Sequence, residues 1–220
     1  MAHDPDTVPV KSAATLRASV IEAGHSDGPE GLRILREGLA SDDAMVRSSA
    51  LSGLDRRGAL SEEVLQAALG DADAEVRIRA AQIAGSEGWS SNIDIALKQA
   101  LQDPHDLVVI AVLVSLADRR PPGVVDVVVA LAGDDERPLV MEEAVASLGA
   151  LGDPRGLGAV LAATSGKPAL RRRCVAALGG FEGADVEDAL DRLSEDRDWQ
   201  VRQAVAMLRR EPFDEDSAVS

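Results

Sequence analysis

A short pattern recurs along this chain at nearly constant spacing, which points to a fold built by internal repetition. Asp43-Ala-Met-Val46-Arg47-Ser-Ser-Ala50 returns as Asp73-Ala-Glu-Val76-Arg77-Ile-Arg-Ala80, and again near the end as Asp198-Trp-Gln-Val201-Arg202-Gln-Ala-Val205. Degenerate copies lie between them: Leu107 with Ala111, Val140 with Ala144 and Leu148, and Leu170-Arg171 with Cys174 and Leu178. A weaker copy, Leu16-Arg17 with Val20, stands at the front. Taking 16, 46, 76, 107, 140, 170 and 201 as anchor positions gives separations of 30, 30, 31, 33, 30 and 31 residues. A unit of that length cannot bury an apolar face alone, so stacked neighbours must supply the core.

Within each copy the apolar residues fall at i, i+4 and i+8, a helical stripe and not a strand alternation. An Asp three residues before the anchor stands where a helix N-cap belongs, since its carboxylate accepts otherwise unpaired amides of the first turn. Between copies the pattern predicts a second helix over Gly31–Ala40, Ser61–Leu69, Ser91–Leu101, Gly123–Ala132, Pro154–Ala163 and Asp185–Leu193. Start signals precede or open most of these segments: Pro29, Ser61, Ser91, the Pro121-Pro122 pair and Asp153-Pro154. Each period is thus one helical hairpin. Six hairpins cover roughly 28–210, after one helix near 10–24.

Composition agrees with close-packed helices. The chain is 45 % hydrophobic yet has no Tyr, two Phe and two Trp in 220 residues, so its core must be Ala, Val and Leu. Strands of a sandwich or barrel prefer aromatic and β-branched residues. The formal net charge of −15 argues against a surface that neutralises phosphates. The lone cysteine, Cys174, takes a small-residue position of the repeat and is expected to be a buried, inert thiol. With an acidic start and no apolar run long enough to span a bilayer, a soluble, cytoplasmic protein with no membrane partner is expected. The first nine residues and 211–220, which include Glu211-Pro-Phe-Asp-Glu-Asp, read as disordered tails flanking a single repeat domain over 10–210.

The Asp-x-x-Val-Arg-x-x-Ala-x-x-x-Leu pattern resembles the second helix of HEAT repeats, and more closely the short HEAT-like repeat of bilin lyase subunits. The resemblance covers most of the chain and is most specific at Val46-Arg47, Val76-Arg77 and Val201-Arg202. It implies an all-α superhelix, a right-handed α-solenoid, in which Arg17, Arg47, Arg77, Arg171 and Arg202 form a structural ladder. Each Arg pairs either with an Asp of an adjacent repeat or locally, as Asp43 with Arg47. Val108 and Met141 stand in the Arg place, so the ladder is expected to break in mid-array.

Nothing in the sequence forms a catalytic, cofactor or metal constellation. Asp71-Ala-Asp73-Ala-Glu75 starts like a calcium loop but lacks the glycine and closing glutamate, and a capping turn explains it. The most informative departure is Leu107-Val-Val-Ile-Ala-Val-Leu-Val-Ser-Leu-Ala117, apolar all round where its siblings are amphipathic. Such a helix is either covered on every side or offers a patch to a partner. The expectation is a non-catalytic scaffold that binds another protein along the concave surface through Ile110 with Leu113 or Val114, whichever of Leu107 and Val108 is the anchor. Glu142, Glu143, Arg172 and Arg173 flank that patch on one side, and Ser48, Ser52, Arg79 and Gln82 on the other. The protein is expected to be a monomer or an end-to-end dimer, without nucleic acid. Two further readings rest on family resemblance: a subunit or chaperone of a tetrapyrrole lyase, and a repeat of the DNA-alkylation-repair type, which the charge disfavours.

Overall fold

The computed structural model describes residues 13–134 and 136–210, and the expected tails at 1–9 and 211–220 lie outside them. The described residues hold thirteen α-helices and one short 3₁₀ turn, with no strand. They divide into two compact units, one ending at Ile83 and the other beginning at Ala84.

The first unit contains α1 (Ala13–Ala23), α2 (Pro29–Gly38), α3 (Ala44–Arg56), α4 (Glu62–Leu69) and α5 (Ala74–Ala84), whose last residue opens the second unit. Its core forms where α1, α2 and α3 meet around Val20, Leu35, Val46, Ala50 and Leu54. No side chain at Gly53 is compatible with this packing. A Cβ there would stand 2.4 Å from Leu35 Cδ2 and 3.3 Å from the Cα of Gly24, so the backbones of α1 and α3 meet almost directly. Small residues in the repeat thus set how closely hairpins stack.

The second unit contains α6 (Ser91–Ala100), α7 (Asp106–Arg119), α8 (Val124–Leu131), α9 (Pro138–Leu151), a 3₁₀ turn (Pro154–Gly156), α10 (Leu157–Ala163), α11 (Pro168–Leu178), α12 (Ala184–Ser194) and α13 (Trp199–Arg209). Pairs α6/α7, α8/α9, α10/α11 and α12/α13 form hairpins, and α7, α9, α11 and α13 each pack on the next. This is the hairpin-on-hairpin layering of an α-solenoid. Gly149 marks another close approach: a Cβ there would lie 2.4 Å from the Cα of Ala177.

The helix starts follow the local chemistry read from the sequence. Asp43 accepts from the amides of Met45 and Val46, Asp73 from Glu75, and Asp198 from Gln200 and Val201. Ser61 caps α4 by accepting from Val64. The cap of α6 is Ser90, not Ser91, a shift of one residue. Asp153 accepts from Arg155, and Pro154 opens a 3₁₀ turn before α10, where a single helix over Pro154–Ala163 is expected. Among the described residues no helix is long and apolar enough to cross a membrane.

Candidate interaction surface

Positions along the second helix of each hairpin sort into two kinds. The anchors Val46, Val76, Val108, Val140, Leu170 and Val201 are buried. The anchor of α7 is therefore Val108, not Leu107, which is 50 % exposed. That correction moves the Arg place of this hairpin to Val109, also fully buried. Met141 holds the Arg place of the next hairpin, as read from the sequence.

The ladder arginines are joints between turns. Arg47 donates from Nε and Nη2 to both carboxylate oxygens of Asp71, at 2.9 and 2.7 Å, and from Nη1 to the Ser41 carbonyl at 2.9 Å. Arg171 repeats this with Asp196, both bonds at 2.7 Å, and with the Gly166 carbonyl at 2.7 Å. Asp71 and Asp196 also accept from the amides of Asp73 and Asp198, so each carboxylate fixes the turn that caps the next helix. Their arginine partners hold both carboxyls below the usual Asp value. The acidic Asp71–Glu75 stretch is thereby accounted for as capping and bracing, and among the described residues no group of three or more ligating side chains could hold a metal. Arg77 and Arg202 bond the carbonyls of Asp71 and Asp196, each at 2.7–2.8 Å. Arg17 departs from the expected ladder. The residues of its preceding turn lie outside the described ones, and its side chain lines a surface groove of the first unit.

A different joint serves α7 and α9. Arg137, at the cap position of α9, donates from Nε to Asp106 at 2.8 Å and from Nη2 to the Asp103 carbonyl at 3.2 Å. The sequence signal was present, an Arg where sibling repeats carry Asp, but it was not read. A second set of arginines, also unforeseen, bonds carbonyls at helix ends and in the turns between helices. Arg56 and Arg57 donate to the carbonyls of Gly24 and Gly28; Arg119 reaches Ala84, Ser86, Trp89 and Ser90; and Arg120 reaches Ala150 and Leu151. At Ala84, Ala150 and Leu151 these guanidiniums supply donors that helix C-terminal carbonyls lack.

The exposed face of the second helices is where the expected site residues separate. Leu113 is completely buried and takes no part in any surface patch. With Val108 as anchor, α7 turns Leu107, Ile110 and Val114 outward, at i, i+3 and i+7; Leu107 is 50 % exposed, Val114 44 %, and Ile110 partly buried. On the packed neighbour α9, Leu139 occupies the position equivalent to Leu107 and is 56 % exposed. Beyond it stand Glu142 and Glu143, both partly buried. Burial pushes the Glu143 carboxyl up, and the nearby Arg173 opposes that shift. On α11, Arg172 bonds the side-chain amide of Gln200 and Arg173 is exposed. Ile110, Val114, Glu142, Glu143, Arg172 and Arg173 all lie within the second unit.

In the first unit Ser48, Ser52 and Arg79 line one groove of about 200 Å³, whereas Gln82 is exposed and is not part of its lining. Cys174 is fully buried, and desolvation pushes its thiol up to about 12, so it stays protonated and unreactive. Trp199 and Met207, on the last helix, are 43 % and 71 % exposed.

A family model described as HEAT repeats matches residues 93–165, from α6 to the turn before α11. No curated protein matches the chain.

Proposed function

We propose that this chain, whose residues 93–165 match a family model of HEAT repeats, is a non-catalytic scaffold which binds another protein on the outward face of α7 and α9. HEAT repeats are commonly protein-interaction scaffolds and generally lack catalysis. The observation that carries the reading is the exposure of Leu107, Val114 and Leu139 on two helices packed side by side. Leaving a large aliphatic side chain in water forgoes about 1.5–3 kcal/mol, and a contiguous group of them marks a surface that gains by being covered. The charges beside it, Glu142 and Glu143 on α9 and Arg172 and Arg173 on α11, provide a polar rim that fixes register more than affinity. The fitting partner segment is an amphipathic helix with apolar residues at i, i+3 or i+4, and i+7.

Replacing Leu107 and Leu139 together by Glu places charge on an exposed face and should leave the helical circular-dichroism signal intact. Immobilised wild-type protein should retain a discrete partner from an extract of its source cells, and the double variant should lose it. Identical retention by both proteins sinks this reading. Leu113→Glu cannot serve, because it buries a carboxylate in the core and is expected to unfold the unit.

A further inference from the structure

In the first unit, α1, α3 and α5 converge on a groove lined by Arg17 and Ile21 from α1, Met45 and Ser48 from α3, and Arg79 from α5. Arg56, at the end of α3, and Glu75, at the start of α5, complete its polar edge. Ile21 and Met45 are both exposed, so the groove has apolar ground between its cations.

Arg33, Arg47, Arg119, Arg137, Arg155, Arg171 and Arg209 each pair with a carboxylate. Arg17 and Arg79 make no ion pair among the described residues, and Arg56 is anchored to a backbone carbonyl, that of Gly24. The nearest carboxyls, Glu75 in the lining and Asp55 within electrostatic reach of Arg56 and Arg79, form no ion pair with them. Three guanidiniums thus face two unbonded carboxylates. Ser49 and Ser52 spend their hydroxyl protons on the carbonyls of Met45 and Ser48, at 2.7 and 3.0 Å, while the Ser48 hydroxyl is uncommitted among the described residues and can donate.

We propose that this groove binds a short acidic peptide segment in which carboxylates flank an apolar side chain. The carboxylates meet Arg17, Arg79 and the Ser48 hydroxyl, and the apolar side chain rests on Ile21 and Met45. Guanidinium–carboxylate pairing is directional and bidentate, which suits this groove to an acidic ligand. A nucleic acid fits less well. Its affinity grows with the number of phosphates neutralised, and a groove of about 200 Å³ with three cations, on a chain of net charge −15, neutralises few. The site is separate from the face of α7 and α9, and stands or falls without it.

The test is fluorescence anisotropy on the full chain at low salt, with a labelled short peptide of alternating Glu and Leu. Saturable binding is expected, weakened at least about tenfold by Arg17→Glu with Arg79→Glu and lost when Gln replaces Glu in the peptide. Arg155→Glu, on an exposed arginine of the second unit, should change it less than about twofold. Should the charge-reversed protein lose its helical signal, Arg17→Gln with Arg79→Gln gives the same comparison without added charge. Absence of binding, equal binding of the Gln peptide, or indifference to both double substitutions overturns the proposal. So does tighter, competing capture of a labelled oligothymidylate, which would assign the groove to nucleic acid.

Discussion

The α7/α9 joint and the α11/α12–α13 joint solve one problem with different chemistry. At the latter, Arg171 and Asp196 are nearly sealed from water, with side chains 7 % and 11 % exposed, and share two hydrogen bonds. At the former, the Arg place holds Val109, fully buried, and the bracing ion pair has moved outward to Arg137 and Asp106, 25 % and 40 % exposed. Both joints hold their helices in the same hairpin stack. The apolar solution therefore suffices for stacking, which is what desolvation energetics predicts: a buried ion pair does little better than well-packed aliphatic side chains of similar volume. What the buried pair adds is an obligation. Once Arg171 is inside, Asp196 must be there to meet it.

That contrast is sharpest when one partner is removed. Asp196→Ala strands the guanidinium of Arg171 in the interior and takes away the acceptor of the Asp198 amide; the expected loss is about 3 kcal/mol of unfolding free energy, measurable by urea denaturation. Adding Arg171→Met to the same protein converts the joint toward the α7/α9 type and should return much of that loss. If the double variant is no more stable than Asp196→Ala alone, the two joints are not interchangeable and the comparison fails. Acid provides the same experiment without mutation. Hydrogen bonds from Arg47 and Arg171 lower the carboxyls of Asp71 and Asp196 in the folded chain, so their contribution is complete above the unfolded Asp value of about 3.9 and disappears as pH falls through the lowered folded values. The stability gap between wild type and Asp196→Ala should stay constant from pH 7 to about pH 5 and close below about pH 4. A gap that widens toward acid would contradict the assigned direction of the shift.

How much of this could be read beforehand follows from how local each signal is. The caps Asp43, Asp73 and Asp198 were legible because a cap is decided within three residues of its own position. The ladder was legible as a set of arginines but not as a set of partners, since Asp71 and Asp196 lie 24 and 25 residues beyond the arginines they hold. The face of α7 stayed open between two phases for a different reason. An amphipathic helix announces its buried side by its polar one, and Leu107–Ala117 has almost no polar side. Leu107 and Val108 as anchors differ by a turn of about 100°, which is why Leu113 and Val114 stood as alternatives; the first is fully buried and the second exposed. The groove arginines show the reverse case. Arg79 shares a groove with Ser48 and Ser52, the residues it was grouped with, since α5 carries a strong anchor, Val76, whereas Arg17, on the weakest copy, was assigned to the ladder and lines the same groove.

The smallest expected effect tests the outer brace of the α7/α9 joint. Arg137 is a quarter exposed and Asp106 more so, and water can replace much of what each gives the other. Arg137→Ala also gives up the bond to the Asp103 carbonyl, yet that carbonyl lies at a turn where solvent can reach it. Surface pairs of this kind contribute about 0–1 kcal/mol, and the stacking at Val109 remains in place. The substitution should therefore lower stability by no more than about 1 kcal/mol, with most of the loss removed by high salt, because screening acts on exposed pairs and spares buried ones. A loss as large as that of Asp196→Ala, insensitive to salt, would mean that the exposed pair holds this joint and that Val109 is only filling space.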